Sequence, residues 1–137
     1  MNSKKVKNID RECILTRVSQ PANSKKEYAY RNVCDGTIER VKFKFYMGNN
    51  KLVKVRVYID NKDGTRFYLM KYTDGAQDFI AGEDEDLEMQ VSIPIHAGDI
   101  LKVEIENEKI EACDVSVQVE INHFTIMDEI ERKVGIR

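Results

Sequence analysis

Asp86-Leu87-Glu88-Met89-Gln90-Val91-Ser92-Ile93-Pro94-Ile95 is the stretch that decides the fold class. Every odd position in it is apolar, and every even one is charged, polar or proline. A period of two gives a strand one dry face and one wet face. After His96-Ala97-Gly98-Asp99 the beat resumes at Leu101, Val103 and Ile105, and it returns at Val115, Val117, Val119 and Ile121. Upstream, Val41, Phe43 and Phe45 alternate with Lys42 and Lys44, and Val53, Val55, Val57 and Ile59 with Lys54, Arg56 and Tyr58. Two runs are less regular. Cys13-Ile14-Leu15 shows no clear period, and Phe67-Tyr68-Leu69-Met70 is apolar on both faces.

These runs predict eight strands, at 11–19, 25–33, 38–47, 51–60, 65–72, 86–95, 99–107 and 113–124. Cys34-Asp35-Gly36, Gly48-Asn49-Asn50 and Lys62-Asp63-Gly64 supply turn residues that tolerate positive φ. The expectation is an all-β, antiparallel β-sandwich of about eight strands, a jelly roll. Gly48-Asn49-Asn50 reads as a tight hairpin, which a strict jelly roll lacks at that connection. Another Greek-key sandwich is therefore the alternative. No interior segment has a helical period. Ile126, Ile130 and Val134 recur every four residues, which predicts a short C-terminal arm or helix. The division is an N-terminal arm at 1–10, one sandwich domain at 11–124 and a tail at 125–137.

The 137 residues carry 22 basic and 24 acidic side chains, a net charge of −2. That balance gives no global pull toward nucleic acid or an acidic membrane. No stretch approaches the ~20 apolar residues of a spanning helix. The charged start lacks the apolar core of a signal peptide, so the expected site of synthesis is the cytoplasm. Cys13, Cys34 and Cys113 are odd in number and widely spaced, and read as reduced thiols.

Catalytic and metal motifs are weak. His96 and His123 are the two histidines, neither in an HxH or HxxxH pair. Ala97-Gly98-Asp99-Ile100 has the Gly-Asp turn of metal-binding cupins without the histidines and glutamate that would hold a metal. Asp60-Asn61-Lys62-Asp63-Gly64 imitates an EF-hand start. With Gly64 in the glycine position, Ile59 and Met70 fall where ligands belong. The expectation is a non-enzyme with no cofactor and no metal.

Interaction candidates lie where the alternation stops. The predicted loop from Thr73 to Glu85 holds Phe79 and Ile80, an aromatic anchor or else a plug for one end of the sandwich. Glu83, Asp84 and Glu85 follow as an acidic run, either solvated or gathering a cation. Lys4, Lys5 and Lys7 in the N-terminal arm, and Ile126, Met127, Ile130 and Val134 in the tail, complete the set. The basic stripe Arg40, Lys42, Lys44, Lys54 and Arg56 lacks the interleaved aromatics of a nucleic-acid surface. Cross-strand pairing explains it: jelly-roll order sets Lys54 and Arg56 beside Glu104 and Glu106.

Asp35-Gly36-Thr37-Ile38, Phe79-Ile80-Ala81-Gly82-Glu83, Ile95-His96-Ala97-Gly98-Asp99-Ile100-Leu101 and Asp114-Val115-Ser116-Val117-Gln118-Val119 give the chain a resemblance. Over roughly residues 35–124 it resembles the small jelly-roll proteins that decorate viral and bacteriophage capsids. The resemblance implies a structural protein made in the host cytoplasm and resident in the virion. It also implies coat-protein partners and a homo-oligomer such as a trimer, with no membrane or nucleic-acid partner. The alternative is a carbohydrate- or receptor-binding module, for which Tyr28, Tyr30, Tyr58, Tyr68 and Tyr72 are the available platforms.

Overall fold

The computed structural model describes residues 11–69 and 79–123. Within them the strands are β1 (Arg11–Gln20), β2 (Ser24–Arg31), β3 (Gly36–Phe45), β4 (Val53–Asp60), β5 (Arg66–Tyr68), β6 (Ile80–Ala81), β7 (Glu85–Ile95), β8 (Ile100–Asn107) and β9 (Cys113–His123). One sheet has the order β1-β9-β3-β7. The other runs β2-β8-β4-β5, with β6 also on β4. All pairings are antiparallel.

With the two-residue β6 set aside, the chain changes sheet at every step except β4 to β5. This is the strand order of an eight-stranded jelly roll. It corrects the reading of Gly48-Asn49-Asn50 as a hairpin. Residues 46–52 carry the chain from one sheet to the other, and Gly48, Asn50 and Lys51 take positive φ to make the crossing. A tight-turn composition marks a sharp change of direction. It does not say whether the next strand pairs with the last.

The alternation does what its period requires. Val41, Phe43, Phe45, Val53, Val55, Val57, Val103, Ile105, Val115, Val117 and Val119 are all buried between the sheets. Each such side chain contributes about 1.5–3 kcal/mol through burial. Ile38 and Val41 are both buried although three residues apart. A register shift between Ile38 and Arg40 absorbs the extra residue as a bulge. Tyr28 and Tyr30 close one side of the core. The Tyr30 hydroxyl lies 2.6 Å from Thr16 Oγ1, and Tyr28 donates to Gln20 Oε1 at 3.3 Å, joining β2 to β1 across the two sheets.

The wet faces are zipped by charge, as the register predicts. Arg56 reaches Glu104 at 3.1 Å and Glu106 at 2.9 Å. Arg40 and Lys42 both face Glu120, and Lys44 faces Asp86. Tyr58 points outward by parity yet is only 1% exposed. The Arg66 guanidinium covers it 4.1 Å from the ring centroid, Tyr68 packs 5.1 Å away, and its hydroxyl donates to Glu27.

Candidate functional site

Four connections meet at one end of the sandwich: 21–23, 46–52, 82–84 and 108–112. Buried polar side chains brace them. Asn107 Nδ2 faces the carbonyls of Gln20, Pro21 and Glu111 at 3.1, 3.2 and 2.9 Å, and its Oδ1 accepts the Lys109 amide at 2.9 Å. Asn49 Nδ2 donates to the Asp114 carbonyl at 3.1 Å. Lys109 Nζ donates to the Gly48 carbonyl and pairs with Glu111. The Asn23 amide donates to the Lys109 carbonyl at 3.0 Å.

Glu83 completes the brace. Its carboxylate accepts the Gly48 amide at 3.1 Å and the Asn50 amide at 2.7 Å. Those donors, Asn50 first, hold its carboxyl below the usual glutamate value. Glu85 in turn accepts the Glu83 amide at 3.1 Å, while Asp84 stands exposed. The acidic run is thus split between bracing and solvent. Among the described residues no group of three His, Cys, Asp or Glu is placed to hold a metal ion.

Out of this braced end project apolar side chains. Ile110 is 89% exposed, Met47 78% and Leu52 41%. Scattered apolar residues are ordinary on a surface. Here they stand on loops whose backbones are fixed by the hydrogen bonds above. Beside Met47 a depression of about 290 Å³ runs to Glu111 and Asp114.

Of the residues singled out in the sequence, Phe79 neither plugs the end of the sandwich nor stands free. Its ring lies on the outer face of β4, with Lys54 Nζ 4.8 Å and Arg56 Cζ 5.5 Å from its centroid. Ile80 begins β6 and pairs with Val55, packing against the core edge. Two residues are too few to show a period, so that strand read as loop. Lys4, Lys5, Lys7, Ile126, Met127, Ile130 and Val134 lie outside the described residues, as do Tyr72 and 73–78 of the predicted loop.

The histidines serve the fold. His123 is buried, with Nδ1 3.1 Å from the Cys34 carbonyl and Nε2 2.6 Å from Glu12 Oε1, so both nitrogens are occupied. His96 is exposed, 4.0 Å from Asp35. Neighbouring Asp99 spends both oxygens on the amides of Lys62 and His96. Tyr28, Tyr30 and Tyr58 are engaged as described above.

Sequence reasoning missed Met47, Leu52 and Ile110. Met47 shares the odd parity of Val41, Phe43 and Phe45, the parity of a core position. The strand ends at Phe45, however, and the chain turns outward. The available signal was an apolar residue set directly among turn-formers, in Met47-Gly48-Asn49 and in Lys109-Ile110-Glu111.

No family model and no curated protein matches the chain. Among solved structures it is similar to the VP2 subviral particle of infectious bursal disease virus, at 11% identity and a TM-score of 0.44. That match covers 85% of this chain and 33% of the other, so the chain spans about a third of that protein's length. FlhE is similar at 14% identity and a TM-score of 0.42, covering 83% and 97%. CBM32-1 from a Clostridium perfringens family 31 glycoside hydrolase is similar at 11% and 0.39, covering 84% and 98%. At these identities and scores the similarity fixes neither partner nor ligand.

Proposed function

We propose that the chain is a non-enzymatic structural module that packs into a larger assembly, as a virion-associated decoration or auxiliary protein does. The observation that carries this is the braced loop end. Its buried polar groups are consumed in fixing the loops, which present outward Met47, Leu52 and Ile110 among exposed charged side chains. A surface already held in shape loses little conformational freedom on contact, which favours packing against a neighbour. The jelly-roll strand order and the sequence resemblance to capsid-decorating proteins point the same way. The carbohydrate-binding alternative needs open aromatic platforms, and Tyr28, Tyr30 and Tyr58 are turned inward or covered.

The test is to follow the native chain by antibody across a density gradient of the cells that make it. Particle fractions should hold it at a fixed copy number, and Met47→Ser with Ile110→Ser should move it to the soluble fractions. Wild-type chain found only with free soluble protein would overturn the reading.

A further inference from the structure

The same end shows what kind of neighbour it fits. Asp84, Glu85, Glu111 and Asp114 are exposed there, Glu111 already pairing with Lys109. Lys51 stands in the same loops, and Lys25, Lys26 and Lys44 lie on the adjoining strand ends, Lys44 paired with Asp86. An apolar tip ringed by carboxylates suits a segment that alternates aliphatic and cationic groups. The long stem of a lysine can lie on Met47 while its head reaches the carboxylates across the depression. Two such ends brought face to face on a two-fold axis would set acid against acid.

The chain contains a segment of the complementary kind, Lys4-Lys5-Val6-Lys7, ahead of β1. β1 starts at the opposite end of the sandwich, where Arg11 pairs with Asn122, and reaches the braced end only at Gln20 beside Cys113. The nine steps from Arg11 to Gln20 span roughly 30 Å at the rise of a strand. The seven steps from Arg11 back to Lys4 reach at most about 25 Å when fully extended. Reaching the acidic end of their own copy would take Lys4 or Lys5 at full extension of backbone and side chain together, a conformation that docking on a second copy does not require.

We infer that the Lys4–Lys7 segment of one copy docks on the Met47, Leu52 and Ile110 end of a second copy, joining chains head to tail. The inference rests on the assembly reading above and names its partner as another copy of the same chain. A head-to-tail contact is heterologous, so it closes into a ring or runs on as a filament.

The experiment is analytical ultracentrifugation of the full chain at low and high salt. Wild type should associate with rising concentration, and less so at high salt. Met47→Ser with Ile110→Ser, and separately Lys4→Glu with Lys5→Glu and Lys7→Glu, should each weaken association about tenfold or more (about 1.4 kcal/mol). Met47 and Ile110 are exposed, and circular dichroism of each variant checks that it folds. Mixing the two variants is the sharper arm. One keeps a working segment and the other a working end, so together they should form one-to-one dimers and stop there. A wild type that stays monomeric, a variant that associates as wild type does, or a mixture that yields no heterodimer would each overturn the contact. A chain monomeric in solution yet present in particle fractions would sink this contact while leaving the assembly reading in place. A chain that associates head to tail but never sediments with particles would do the reverse.

Discussion

Asn107→Asp is the most informative single change, because it keeps the shape of a buried side chain and reverses what it offers. Asn107 is 1% exposed and points its amide nitrogen at three carbonyls, those of Gln20, Pro21 and Glu111. Its two N–H groups satisfy two of these fully. Aspartate retains the oxygen that accepts the Lys109 amide but turns both donors into acceptors. Losing two buried hydrogen bonds at about 1–1.5 kcal/mol each, with the carbonyls left facing a carboxylate, costs about 3 kcal/mol. That is a large part of the 5–15 kcal/mol by which ordinary domains are stable. With a urea m-value of about 2 kcal/mol/M, the midpoint should fall by about 1.5 M at neutral pH with m unchanged.

The same substitution carries a pH signature. Burial and the facing carbonyls raise the folded-state pKa of the new carboxyl above its unfolded value of about 3.9. The folded state then binds the proton more tightly. The penalty is full above the folded value and shrinks as pH falls toward the unfolded one, where the protonated acid can donate to one carbonyl. Urea titrations of both proteins at pH 7 and at pH 4 measure this. A midpoint shift below about 0.5 M at pH 7, or a gap that does not narrow at pH 4, would mean that the Asn107 amide does not brace these loops.

Two further outcomes follow from named contacts. Gly36→Ala would set a Cβ 2.7 Å from the Asn122 carbonyl oxygen and 3.0 Å from the His123 Cα, both backbone atoms of the paired strand β9. The β3–β9 pairing must shift, and thermal unfolding should show a loss of about 1–3 kcal/mol; an unchanged midpoint would refute the close approach. Glu83 has a folded-state carboxyl held below the usual glutamate value by the amides of Asn50 and Gly48. Its contribution is therefore present above the unfolded value and lost as pH falls through the folded one. Glu83→Gln should lower stability at pH 7 and converge on wild type in strong acid, whereas a gap constant with pH would remove the carboxylate from the brace.

The sequence by itself determined the long strands, though not the two-residue β6. Alternation at 86–95, 99–107 and 113–124 places β7, β8 and β9 within a residue or so of where they lie. The reason is that a period of two is a local property, set by the burial of one face whatever the partner. It also located Arg56 beside Glu104 and Glu106, because strand order and parity together fix which outward side chains meet. Only the tertiary structure decided what happens between strands. Gly48-Asn49-Asn50 has the same composition whether the chain turns back along one sheet or crosses to the other; Glu83, some 35 residues on, holds it in the crossing form. Met47 carried the parity of a core residue and became an exposed tip because β3 ends two residues earlier. Tyr58 carried the parity of a wet one and became buried because Arg66 and Tyr68 fold over it. Parity says which side of a strand a residue takes, and the rest of the fold decides whether that side meets water.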